Sequence, residues 1–125
     1  MPVSEQDRSP LDPEDAKIVT LARGARLRAY APHTGLAEGA AVRDSDGRTY
    51  AAATVENVDP ALTTSALRAA VAAAASSGIR TLEAAALVTQ EPVSRADLLV
   101  LAEFGSGTPL LVAGPDGVLR QTLST

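Results

Sequence analysis

Leu62-Thr63-Thr64-Ser65-Ala66-Leu67-Arg68-Ala69-Ala70-Val71-Ala72-Ala73-Ala74-Ala75-Ser76-Ser77-Gly78-Ile79-Arg80-Thr81-Leu82-Glu83-Ala84-Ala85-Ala86-Leu87-Val88-Thr89 holds a helix and a strand back to back. From Leu62 to Ser77 the stretch is rich in alanine, the strongest helix former. Gly78 stops it, as a glycine just past a helix does. Thr81 to Thr89 follows with Leu82, Ala84, Ala86 and Val88 on alternate positions, an apolar strand. A helix so rich in alanine can lie very close to a sheet. Asp59-Pro60 breaks the chain just before it.

Downstream, Pro92 to Phe104 reads as a second short helix, with Ser94 as its cap and Gly105 as its stop. Pro109 to Ala113 and Val118 to Leu123 flank Gly114-Pro115-Asp116-Gly117 and predict a hairpin. Upstream, Gly39 to Val42 resembles a buried strand, Asp44-Ser45-Asp46-Gly47 a turn, and Arg48 to Ala53 a returning strand, a second hairpin. Residues 31–37 read as a loop. Before it, Leu11-Asp12-Pro13-Glu14-Asp15 is a strong helix start, with Asp12 to cap, Pro13 in the first turn and acids that complement the dipole. Ile18, Leu21, Ala22, Ala25 and Leu27 follow at helical spacing, and the helix is expected to end near Tyr30, before Pro32. Residues 1–10 read as a disordered lead-in to one domain spanning residues 11–125. The order α, hairpin, α, β, α, hairpin predicts an α/β fold: a five-stranded mixed sheet in a three-layer α-β-α sandwich. Its central strand–helix–strand–helix–strand run predicts parallel neighbours joined by right-handed crossovers.

The composition excludes several functions. The chain of 125 residues contains no cysteine and one histidine, His33, so neither a cysteine nucleophile nor the usual catalytic zinc set is present. Aromatic residues make up 2%, which leaves few rings for stacking bases, and the net charge of -4 argues against nucleic acid as a partner. The basic cluster Arg23, Arg26 and Arg28 sits near the expected end of the first helix, where cations favour the dipole. No apolar run is long enough to span a bilayer, and the polar opening Met1 to Pro10 does not read as a signal peptide. A soluble, cytoplasmic protein is expected. Nothing resembles Gly-x-Ser-x-Gly around His33, Gly105-Ser106-Gly107 lacks the lysine of a phosphate loop, and no pair among the 15 acids is singled out.

Ala29-Tyr30-Ala31-Pro32-His33-Thr34 followed by Gly39-Ala40-Ala41-Val42 resembles the opening motif of the small cytidine deaminases. Thr54-Val55-Glu56-Asn57 is similar to that family's Asn-Val-Glu-Asn. Leu62-Thr63-Thr64-Ser65-Ala66-Leu67-Arg68-Ala69-Ala70 lies without a gap on Leu-Thr-x-Cys-Ala-Glu-Arg-x-Ala. Ser94-Arg95-Ala96-Asp97, with Leu101-Ala102-Glu103-Phe104 behind it, lies on Cys-Gly-x-Cys and its trailing Leu-x-Glu-Phe. The resemblance covers about residues 12–124 and implies the cytidine deaminase fold.

It also implies where the chain departs. In the family three cysteines hold zinc, whose bound water attacks C4 of cytosine, and a glutamate moves protons. The corresponding positions are Ser65, Ser94 and Asp97 for the ligands and Leu67 for the proton carrier. A neutral hydroxyl is a poor zinc ligand, and leucine transfers no proton. No catalytic residue, metal or zinc cofactor is therefore expected. The residues by themselves admit a structural reading, in which Ser65 sits early in a helix and bonds a nearby carbonyl, and Ser94 and Asp97 form a capping box. Arg68 is retained and is expected to pair with Asp97. On the substrate side Glu56 matches the family's ribose-binding glutamate, Thr54 stands for its asparagine and Leu36 for its pocket phenylalanine. Glu56 alternatively reads as a strand-end carboxylate that pairs with an arginine or caps a turn. The resemblance further implies a homo-dimer or homo-tetramer, for which Ala69–Ala75 and Gly39–Val42 offer small apolar surface. The expected function is a catalytically inactive homologue that binds a nucleoside-like molecule or a partner. The alternatives are a deaminase with an unrecognised mechanism and a purely structural oligomeric protein.

Overall fold

The structure is a computed structural model that describes residues 11–125; the expected disordered lead-in, residues 1–10, lies outside the described residues. Helix α1 (Pro13–Arg26) is followed by strands β1 (Gly39–Asp44) and β2 (Thr49–Ala53), helix α2 (Ala66–Ser76), strand β3 (Leu82–Val88), helix α3 (Arg95–Glu103), and strands β4 (Pro109–Ala113) and β5 (Leu119–Ser124). The five strands form one mixed sheet in the order β2-β1-β3-β4-β5. Helix α1 covers one face with Ile18, Val19 and Ala22 on Ala41, Ala84, Ala86 and Val88. Helices α2 and α3 cover the other through Leu67, Val71 and Leu101 on Val42, Leu87, Leu110 and Val112. The three-layer α/β architecture is as the sequence predicts.

The crossovers differ from the expectation. β2 and β3 run in the same direction but are not neighbours, because β1 lies between them and pairs antiparallel with both. Only β3 and β4 are parallel neighbours. The physical reason lies in β1, which is buried along its whole length and so takes an interior place, while half-exposed β2 takes the edge. This also removes Gly39–Val42 from any surface between subunits.

Local chemistry explains the shifted boundaries. α1 stops at Arg26 rather than near Tyr30, because Tyr30 leaves the helix to bridge Val55. α2 starts at Ala66 rather than Leu62. Asp59 caps a separate short 3-10 turn at Pro60–Leu62, Thr64 pairs with Val55, and Ser65 then caps α2. α3 is shorter than Pro92–Phe104 because Ser94 caps it at Arg95. Gly39 sets the distance between α1 and the sheet. A Cβ there would collide with the carbonyl oxygen of Ala22 and the backbone of Arg26, so the helix backbone rests directly on β1.

Candidate functional site

The C-terminal ends of β3 and β4, neighbouring parallel strands, are where open α/β sheets bind ligands. Beside the end of β3, the N-termini of α2 and α3 converge. Residues 54–56 tie the surrounding loops together. The Tyr30 amide donates to the Thr54 carbonyl at 2.9 Å, the Glu56 amide to the Tyr30 carbonyl at 2.8 Å, and Val55 exchanges both backbone bonds with Thr64.

Ser65 and Asp97 meet at the helix ends. The Ser65 hydroxyl donates to Asp97 Oδ1 at 2.7 Å, and Asp97 is 4% exposed. Ser65 Oγ also accepts from the Arg68 amide at 3.2 Å, which is the N-cap bond of α2, and from Arg68 Nε at 3.1 Å. Ser65 is thus an N-cap rather than a side chain bonded to a carbonyl. Arg68 Nε stands 3.7 Å from Asp97 Oδ1, and its terminal nitrogen donates to the Thr63 carbonyl at 3.2 Å. Ser94 Oγ accepts from the Asp97 amide at 3.1 Å. That is half a capping box; the Asp97 carboxylate turns to Ser65 instead of back to the Ser94 amide. Leu67 is fully buried in the α2 core.

This donor set does not fit zinc. One hydroxyl donates a hydrogen bond to the only carboxylate of the three positions, and both serines cap helices. A metal would have to break a bond at 2.7 Å and uncap α2 to gain one charged ligand. Among the described residues no group of three or more histidine, aspartate or glutamate side chains is arranged to hold a metal ion.

Glu56 is 8% exposed and holds the loop before β1. Its Oε1 accepts from the amides of His33, at 2.8 Å, and Thr34, at 3.2 Å, and its Oε2 accepts from the Thr34 hydroxyl. The Thr34 hydroxyl, then the two amides, hold the carboxyl below the usual carboxylate range despite its burial. A carboxylate has about four acceptor sites, so one remains for a ligand hydroxyl. Thr54 is 6% exposed, and its hydroxyl accepts from the Glu38 amide at 3.0 Å. Leu36 is half exposed on the same loop. The His33 ring is exposed and has no hydrogen bond to a serine or aspartate among the described residues.

The sequence reading missed Glu38. Its Oε2 accepts from the Thr89 hydroxyl at 2.6 Å, at the end of β3, and Asp97 and Glu91 lie close enough to act on its charge. Desolvation, then the two acids, push its carboxyl above the ordinary value, against the Thr89 hydrogen bond. The available signal was an acid set directly before Gly39, at the mouth of an apolar strand. Glu38 is thus bonded to Thr54 through its amide and to Thr89 through its carboxylate, and Asp97 acts on it through charge alone.

A helix-covered mixed sheet with two helix N-termini meeting beside its parallel strands defines a deaminase-type α/β domain. The family profile described as Cytidine deaminase-like matches residues 11–117, and the chain belongs to that family. It is similar to a protein named cytidine deaminase from Sporosarcina psychrophila, 33% identical over 111 residues that span 85% of this chain and 82% of the relative. Among solved structures, cytidine deaminase from Burkholderia pseudomallei superposes with a TM-score of 0.78 at 30% identity, over 86% of this chain and 90% of that one. Cytidine deaminase from Mycobacterium tuberculosis superposes with a TM-score of 0.72 at 34% identity, over 88% and 91%. Among the described residues no helix is long and apolar enough to cross a membrane.

Proposed function

We propose that this chain is a catalytically inactive cytidine deaminase-like protein that binds a nucleoside-like small molecule without zinc and without deaminating it. The observation that carries this reading is the Ser65–Asp97–Arg68 network. It occupies the meeting point of α2 and α3 with hydrogen bonds among two helix caps and one carboxylate, which supports a site without zinc. Leu67, which resembles the family's glutamate only in position, is committed to the core. Ligand binding is supported by Glu56, held by the loop with an acceptor site to spare for a sugar hydroxyl, and by Leu36, which offers apolar contact but no ring to stack. The net charge of -4 and the three aromatic residues disfavour nucleic acid.

Three measurements on the purified protein test it. Metal analysis is expected to find no stoichiometric zinc, a cytidine turnover assay no product above the uncatalysed rate, and calorimetry saturable heat with cytidine or uridine. Stoichiometric zinc with turnover overturns the reading in favour of a working deaminase. Absence of heat with every nucleoside overturns the binding half and favours a structural protein.

A further inference from the structure

We infer that two adjoining grooves on either side of Pro115, between the last turn of α1 and the β4–β5 turn, dock an acidic segment of a partner protein, whose carboxylates pair with Arg23, Arg26 and Arg120 and whose apolar side chains cover Leu27 and Val118. The inference is independent of the nucleoside reading, because neither groove is lined by Leu36, Glu56, Ser65 or Asp97.

The β4–β5 turn, Gly114-Pro115-Asp116-Gly117, reaches back to the last turn of α1. Gly117 has a φ of 83°, and a Cβ there would stand 3.2 Å from Cδ of Arg23. The glycine thus makes the turn and also gives Arg23 room to lie against it. Arg23 Nε donates to the Pro115 carbonyl at 3.0 Å, and Arg26 Nε donates to the Ala37 carbonyl at 3.0 Å. One groove, of about 380 Å³, lies between these two arginines, Leu27 and Pro115. The other, of about 460 Å³, lies beyond Pro115 along Val118 and Arg120. Pro115 is a wall of both, so one extended segment can cross from the first to the second.

Charge names the occupant. The chain carries a net charge of -4, and Arg43, Arg48 and Arg68 each find a carboxylate, yet Arg23, Arg26 and Arg120 have none among the described residues. Among those residues Asp116 is the one acid lining either groove, and its Oδ1 accepts from the Val118 amide at 3.0 Å, so the turn rather than an arginine uses it. Arg23 and Arg26 are held at Nε, and their terminal nitrogens make no hydrogen bond among the described residues. Each keeps a two-pronged donor for a carboxylate, already ordered before a partner arrives, which lowers the entropic cost of binding. The two residues stand about 4.5 Å apart along the helix axis, between one and two residues of an extended segment, so nearby acids of one segment reach both. Leu27 is 82% exposed at one groove and Val118 62% at the other, and each gains cover from an apolar side chain. A nucleic acid would supply phosphates, but its bases stack on rings, and neither Tyr30, Tyr50 nor Phe104 lines a groove. An acidic peptide supplies both the charge and the apolar cover.

Selection of short random peptides displayed on phage against the full chain tests the surface. Enriched sequences are expected to carry neighbouring Asp or Glu residues beside a Leu, Ile, Val or Phe. A synthetic peptide of that sequence should bind in fluorescence anisotropy with Kd on the order of tens of micromolar, as small contacts do, and should lose affinity between about 50 and 500 mM salt. Arg23→Glu combined with Arg26→Glu should weaken binding at least about 10-fold. Arg120→Glu, which removes no hydrogen bond or ion pair among the described residues, should weaken it about 3- to 10-fold and keeps the test decisive where the α1 variants lose stability. Enrichment of no acidic sequence, or equal affinity for the parent and the charge-reversed variants, overturns the inference. Tighter binding of single-stranded oligothymidine than of any selected peptide overturns it in favour of a nucleic-acid surface. A dimer that the same variants dissolve, with no peptide bound, assigns the grooves to a second copy instead.

Discussion

Replacing Asp97 by alanine removes the acceptor around which the two helix ends are organised. The Ser65 hydroxyl then loses the only bond it donates, and Arg68 loses its counter-charge. A hydrogen bond to a charged group contributes about 1.5–3 kcal/mol. The Arg68–Asp97 pair adds less than about 1 kcal/mol, because the arginine side chain is 43% exposed and screened by water. Asp97→Ala should therefore cost about 2–4 kcal/mol. Ser65→Ala should cost about 2–3 kcal/mol, the same bond plus part of an N-cap. Urea unfolding of Ser65→Ala, Arg68→Ala, Asp97→Ala and the two double variants that include Asp97→Ala gives both coupling energies. About 1.5–2 kcal/mol is expected for Ser65 with Asp97, and less than about 1 kcal/mol for Arg68 with Asp97. Each kcal/mol should lower the melting temperature by about 3–5 °C in a domain of this size. A Ser65–Asp97 coupling below about 0.3 kcal/mol refutes the reasoning; the helix ends would then be held by packing alone.

Glu38→Gln should become increasingly stabilising relative to the parent as pH rises above 4.5. A carboxyl raised in the folded state binds its proton more tightly than in the unfolded chain, so the parent loses stability as pH climbs from 4.5 through the raised folded value; thermal melts from pH 4 to 8 read the difference, and a pH-independent gap contradicts it. Gly39→Ala should cost more than about 3 kcal/mol, because its methyl group strikes α1 backbone that has no side chain to rotate away; a circular dichroism melt near that of the parent would disprove the contact. Changing Ser65, Ser94 and Asp97 together to cysteine should create zinc affinity that survives gel filtration, and Leu67→Glu added to that triple variant should be required before any cytidine is consumed. Failure of the triple variant to retain zinc while folded would show that the three positions do not converge as described.

Much of the fold is legible in the residues. The capped start at Asp12-Pro13, the alanine helix stopped by Gly78 and the two glycine turns are local signals, and each element they predict is present. What the residues missed is long-range. Thr63 and Thr64 continue the alanine helix on paper, yet Thr64 pairs with Val55, and no periodicity encodes a bond to a distant strand end. The antiparallel placement of β1 between β2 and β3 likewise follows from which strand buries both faces, a property of the packed sheet.

The site divides along the same line. By itself the sequence determined that no thiolate and no imidazole pair could hold a metal, since residues that are absent cannot be supplied by folding. It also determined that Ser94 would cap its helix, because that bond spans only three residues. Only the tertiary structure decided that the Asp97 carboxylate turns across to Ser65, 32 positions away, and that Glu56 spends its oxygens on the loop of His33 and Thr34. It alone revealed Glu38 beside Thr89. The partner of a buried polar group is set by which helix ends and loops the packed sheet brings within hydrogen-bond reach, and local sequence does not carry that distance.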